Sequence, residues 1–141
     1  MNTEAFSFIP QRQPFVMINK VLSADEHQSV TSFTIPTDNV FVEDGVFTEP
    51  GLIENMAQTA AAGTGYRAFK EQKAAPVGFI GALKGLHIKE LPRAGETIIT
   101  KISFLHQIMN AHIVQGTVMS GERELASCEL KIFLQTESPN A

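Results

Sequence analysis

The chain of 141 residues contains no tryptophan, one tyrosine and one cysteine. With a single thiol, Cys128, no internal disulfide can form and no metal site is suggested, so the residue reads as a core thiol in a reducing compartment. Clusters of basic residues are missing as well. The eleven Lys and Arg are scattered against fifteen Asp and Glu, for a net charge of −4, which argues against a nucleic-acid surface. No apolar run approaches the roughly 20 residues needed to span a bilayer. The first ten residues show no basic segment followed by an apolar stretch, so the expected location is the cytoplasm, with no membrane partner. Repeats and low-complexity linkers are also lacking, and the length suits one domain, 1–141, with a core over roughly residues 8–135 and frayed termini.

What is present is apolar and patterned. Ten phenylalanines and 43% hydrophobic residues point to a packed interior. Residues 15–22 and 30–35 are rich in β-branched and aliphatic side chains around a polar turn, which predicts an antiparallel pair of strands. Residues 40–51 read as a loop leading into a helix. Four more strands are predicted at 77–88, 97–106, 111–120 and 124–134, separated by turn signals at 92–96, 109–110 and 121–123. Two strands, one long helix and four strands describe an α+β domain whose antiparallel sheet wraps around the helix.

The helix carries the most informative residue. Leu52-Ile-Glu-Asn-Met-Ala-Gln-Thr-Ala-Ala-Ala-Gly63 holds a single charge, Glu54, and charge returns only at Arg67, Lys70, Glu71 and Lys73. Leu52, Ile53, Met56, Ala57, Ala60 and Ala61 form an apolar stripe, while Ala62, Gly63 and Gly65 lie on the other side, so the helix should be buried nearly all round. A carboxylate in such a setting must be paired, hydrogen-bonded or allowed to keep its proton, and groups of that kind concentrate at acid/base sites. The plain alternative is the gain of about 0.3–1 kcal/mol that an acid draws from the macrodipole of a first helical turn. That preference does not explain why the rest of the helix is uncharged. Gln58 lies one turn on, either as a buried amide pinning the helix or as an orienting partner for Glu54.

Two stretches carry a family resemblance. Ile9-Pro-Gln-Arg-Gln-Pro-Phe-Val-Met-Ile-Asn-Lys-Val-Leu22 is similar to the opening segment of the hotdog-fold β-hydroxyacyl-(acyl carrier protein) dehydratases, and Glu54-Asn-Met-Ala-Gln58 resembles their central-helix motif Glu-Ala-Met-Ala-Gln. Gly81-Ala-Leu-Lys84 and Ala94-Gly-Glu96 follow in the family's order. The resemblance implies a hotdog fold, an acyl thioester on a carrier protein as substrate, no cofactor or metal, and a homodimer or higher oligomer with active sites between protomers. It also implies Glu54 as the catalytic carboxylate, a general acid for the β-hydroxyl, with the acyl chain lying in a tunnel beside the helix. Gly51, Gln58, Val46 and Phe47 are the accompanying substrate-binding candidates, Gly51 through free N–H groups at the helix start that could polarise the thioester carbonyl.

The departure lies just before the helix. Where family members carry Gly-His-Phe-Pro-Gly, with the histidine as base, this chain has Gly45-Val-Phe-Thr-Glu-Pro-Gly51, and Val46 takes the histidine's place. Gln11 likewise replaces the histidine of the opening motif. Elimination of water needs one group to take the α-proton and one to protonate the leaving hydroxyl, and Glu54 can do only one at a time. The shortened loop also resembles dehydratase-like proteins of aryl-polyene and flexirubin-type pigment pathways, which implies heteromeric association with a second hotdog protein that supplies the base. A non-catalytic companion and a thioester hydrolase are the competing readings.

Other candidates weigh less. Asp44 and Glu49 could replace the base but sit in a loop where acids are mostly solvated. Of His27, His87, His106 and His112, none has metal-ligand spacing, and His87 is the one expected nearest the tunnel. Gly78, Gly81 and Gly85 suit the close approach of a pantetheine arm or of the helix. Lys70, Lys73, Lys84, Lys89 and Arg93 could gather at a tunnel mouth to receive an acidic carrier protein, although solvation explains them equally well.

Overall fold

The computed structural model describes residues 3–74 and 77–135. The expected frayed tail, residues 136–141, and part of the expected turn at 74–76 lie outside them. Among the described residues, nine strands and one α-helix run in the order β1 (Thr3–Glu4), a 3-10 turn (Ala5–Phe8), β2 (Lys20–Ala24), β3 (Gln28–Thr34), β4 (Val42–Glu43), β5 (Val46–Phe47), α1 (Glu49–Lys70), β6 (Val77–Ile88), β7 (Thr97–Ile108), β8 (Ala111–Ser120) and β9 (Arg123–Gln135). Seven strands form one antiparallel sheet in the order β1-β2-β3-β7-β8-β9-β6, and β4 pairs with β5 as a separate small hairpin. The expected architecture, an antiparallel sheet around one long helix, is what the chain adopts.

Helix α1 is set by its ends. Pro50 fits the first turn, where its missing N–H costs nothing, Glu49 suits the positive end, and Arg67 and Lys70 suit the last turn. The helix therefore starts at Glu49, inside the stretch expected to be loop. Leu52, Met56 and Ala60 pack into the main core with Phe33, Phe47, Ile98, Ile102, Val114, Val118 and Leu130. The flank beside this stripe is covered by polar contacts. Asn55 donates to Met17 O at 2.8 Å and accepts from the Thr100 hydroxyl at 2.5 Å, and the Thr31 and Thr59 hydroxyls meet at 2.7 Å. These buried groups satisfy one another and fix the rotation of the helix on the sheet. Small residues permit the close approach: a Cβ at Gly63 would collide with the Ser29 side chain.

The first strand begins later than the pattern of residues 15–22 suggests. Phe15 and Met17 spend their backbone groups on the helix: Met17 N–H donates to Gln58 Oε1 at 2.7 Å, Met17 O accepts from Asn55, and Phe15 O accepts from Gln58 Nε2 at 2.8 Å. Ladder pairing with β3 starts only at Lys20. The residues are apolar and extended because they lie along a helix, a situation that alternation alone does not separate from a strand. The later strands fall where expected, with β7 running two residues further, to Ile108.

Candidate active site

Glu54, Ala57, Ala61 and Gly65 follow one another at helical spacing and floor a groove of about 570 Å³. One wall is residues 7–11, a strap that crosses the helix, and the other is Gly78, Phe79 and Ile80 of β6. The strap lies close because Gly65 has no side chain: a Cβ there would strike the backbone oxygen of Phe8. Phe8 is held edge-on by Tyr66 and Phe69, with ring centroids 5.3 and 5.6 Å away. Lys73, Ser7 and Phe69 also line the groove.

A smaller cavity of about 50 Å³ shares Ala57, Ala61 and residues 78–80 with this groove and extends to Thr64, Phe104, His112, Ile132 and Leu134. From Glu54 the groove runs along the helix past Gly65 to Phe69 and Lys73, and the inner cavity reaches Thr64, ten residues or about 15 Å from Glu54. On the other side of Glu54 lies a second pocket of about 330 Å³, lined by Gln11, Arg12, Phe15 and Phe41. Glu54 stands at the junction of the two.

The Glu54 carboxylate is held from one side by amides. Gln58 Nε2 donates to Glu54 Oε2 at 2.8 Å, and Gln11 Nε2 approaches the same oxygen at 3.5 Å, the outer limit of a hydrogen bond. Gln58 is fully buried, and its amide is saturated: one N–H to Glu54, one to Phe15 O, and its oxygen to Met17 N–H. The amide that bonds to Phe15 and Met17 thus also donates to the carboxylate. Gln11 Oε1 is buried with no hydrogen-bond partner.

The remaining sequence candidates are placed elsewhere. Phe47 is fully buried in the core, its ring 5.8 Å from that of Phe33. Gly51 lies under the Phe47 ring, and its N–H donates to Thr48 O at 3.0 Å within the first helical turn, so it does not offer the expected free donor. Val46 pairs across to Arg93. None of Val46, Phe47 and Gly51 lines the groove within the chain, whereas Glu54 does and Gln58 supports it from below. Asp44 turns the β4–β5 hairpin in a left-handed conformation, φ 51°, and neither it nor Glu49 lines the groove.

The histidine beside the cavity is His112, not His87. Residues 78–80 at one end of β6 border the groove, and His87 lies seven to nine residues further along, more than about 20 Å away in an extended strand. His112 faces inward because it lies at every second position with Val114, Gly116 and Val118 on the core side of β8, a register the isolated sequence does not reveal. Gly78 and Gly81 make room for side chains of β9, Leu134 and Phe133, and Gly78 also lines the groove. Of the five expected mouth cations, Lys73 lines the groove, while Lys89 pairs with Glu124 at 2.9 Å. The strap residues Ser7 and Phe8, and Phe79, had no recognisable signal. The i, i+3, i+7 spacing of Glu54, Ala57 and Ala61 could have marked the floor.

Around Glu54 the site offers one carboxylate and two carboxamides, with Lys73 and Ser7 on the edge of a largely apolar groove. Among the described residues, no group of three or more His, Cys, Asp and Glu could hold a metal ion. No helix there is long and apolar enough to cross a membrane.

Comparison with known proteins agrees with this architecture. The chain is 26% identical over 134 residues to the 3-hydroxyacyl-(acyl-carrier-protein) dehydratase FabZ of Clostridium kluyveri, covering 91% of each chain, and 23% identical over 142 residues to that of Pediococcus pentosaceus, covering 94% of this chain and 91% of the relative. Among solved structures, the dehydratase heterocomplex ApeI:P from Xenorhabdus doucetiae contains a chain that superposes with a TM-score of 0.87 at 16% identity, covering 95% of this chain and 92% of that one. A hypothetical thioesterase from Streptococcus pneumoniae, solved with coenzyme A, gives 0.66 at 10% identity, covering 95% and 93%, and shares the hotdog fold. The family described as ApeP-like, ApeP dehydratase, matches residues 3–141, and the chain belongs to that hotdog dehydratase family.

Proposed function

We propose that the protein acts on β-hydroxyacyl thioesters borne by an acyl carrier protein, in fatty-acid or polyene synthesis, with Glu54 as the general acid. The observation that carries this reading is the placement of one oriented carboxylate at the junction of an apolar groove and a second pocket. The acyl chain lies along Ala57 and Ala61, and the thioester passes Glu54. In the reaction the α C–H bond breaks as a base takes its proton, the Cα–Cβ double bond forms, and the β C–O bond breaks with Glu54 giving its proton to the departing hydroxyl, which leaves as water.

The base comes from a second hotdog chain. The side chains bonded to Glu54 are the amides of Gln58 and Gln11, and an amide cannot take an α-proton. The sheet also ends in β6, twelve residues long, paired with β9 on one side only and exposing Phe79 and Leu83. A long apolar edge of this kind calls for a partner strand. The dehydratase character of the family and the heterocomplex in which a similar chain was solved support this assignment. On this reading the protein works in the cytoplasm as a heteromer with that second chain.

The test is conversion of a β-hydroxyacyl carrier protein to its enoyl form, measured for the chain alone and after adding a second hotdog dehydratase subunit. Conversion with the partner, lost on Glu54→Gln, is the expected result. Conversion that persists undiminished in Glu54→Gln would make the chain a non-catalytic companion, and free thiol without enoyl product would make it a hydrolase.

A further inference from the structure

The channel has a polar end as well as a reactive one. Among the described residues, two buried side-chain polar atoms have no hydrogen-bond partner, Gln11 Oε1 and Arg67 Nε. Gln11 lines the groove beside Glu54. Arg67 lines a neighbouring pocket with Thr64 and Ala68, and its guanidinium lies 5.7 Å from the centroid of the Phe104 ring, which does line the inner cavity. His112 lines the same cavity, edge-on to Phe104 at 5.8 Å. His112 in the lining and Arg67 beside Phe104 make this end of an otherwise apolar channel poorly matched to a terminal methyl group, which could not satisfy a buried donor.

We infer that His112 determines specificity at the far end of the channel, donating to an oxygen acceptor carried about 15 Å from Glu54 on the distal end of the acyl chain. Phe104 forms the wall beside that oxygen, and the Arg67 charge makes the position favourable for it. This rests on reading the groove as an acyl channel. Burial first, and the nearby Arg67 charge second, push the His112 imidazole below its ordinary value, so that the ring is neutral near pH 7 and presents one N–H and one acceptor nitrogen. A hydroxyl could use both; a carboxylate would use the N–H and the Arg67 charge.

Non-cleavable acyl-pantetheine amides of equal length, tipped with methyl, hydroxyl or carboxylate, distinguish these cases when titrated calorimetrically into the full chain. At least one oxygen-tipped analogue should bind about tenfold more tightly than the methyl-tipped one. The tip that gains identifies the oxygen source. The preference should vanish in His112→Phe and survive in His112→Gln, which keeps a donor and guards against a packing effect of the larger ring. Equal binding of all three tips by the unaltered protein, or a preference that persists in His112→Phe, would overturn the inference while leaving the channel intact. Failure of every analogue to bind would overturn it together with the acyl-channel reading.

Discussion

Gln58 Nε2 and Glu54 Oε2 stand 2.8 Å apart, one helical turn from each other, and the same amide closes two backbone bonds to Phe15 and Met17. The residue that orients the carboxylate thereby also holds the segment that borders it. Gln58→Leu should leave a buried N–H of Met17 and a carbonyl of Phe15 unmatched and destabilise the fold by about 2–4 kcal/mol. Urea titration would show this as a lower midpoint, and a midpoint equal to that of the unaltered protein would mean that water or a rearranged backbone replaces the amide.

Glu54→Gln separates chemistry from structure. The new amide oxygen can still accept from Gln58, so stability should change by less than about 1 kcal/mol. Turnover of a β-hydroxyacyl carrier protein should fall by about 10²–10⁴, the range for loss of a general acid. A melting temperature that drops together with activity would assign Glu54 a structural role instead.

The limits of the sequence lie in tertiary pairing. Strands β6 to β9 were legible because alternation and turn residues are local, and the buried helix because its composition excluded a solvated face. Phe15 and Met17 carry a strand pattern without pairing in the sheet because they bond to Asn55 and Gln58, about forty positions away. His112 and Phe79 had no local mark, since the register of β8 and the place of β6 at the sheet edge decide which side chains meet the groove. Glu54 was legible from the helix alone. What lies on either side of it was not, because the strap and the Gln11–Arg12 pocket are brought there by packing.

Gly65 tests whether the strap wall depends on close contact. A methyl group at this position meets the Phe8 carbonyl, which is backbone and cannot rotate away. Gly65→Ala should cost about 1–3 kcal/mol as overpacking and lift residues 7–11 from the helix. Limited proteolysis should then cut within residues 5–13 faster than in the unaltered protein, and an unchanged cleavage rate would mean that the strap accommodates the methyl without moving.

Acid stability should depend on Glu96. The Arg93 backbone N–H, at 2.6 Å, holds its carboxyl below the ordinary value of 4.5, with Ser120 and Arg123 adding to the effect and burial opposing it. The unfolded chain therefore binds a proton at Glu96 more readily than the folded one. This contribution to stability is complete above about pH 4.5 and is lost as the pH falls below that value towards the lower folded pKa. Glu96→Gln keeps an acceptor for the Arg93 N–H and presents its NH2 to the Ser120 hydroxyl, which can accept from it; it gives up the Arg123 bond and cannot titrate, so its stability should decline less steeply between pH 5 and pH 3. Thermal melts across that window would show the two proteins converging at the acid end. Parallel curves would place the acid sensitivity on other carboxylates, with Asp25, whose carboxyl is also lowered by the N–H groups of His27 and Gln28, as the next position to vary.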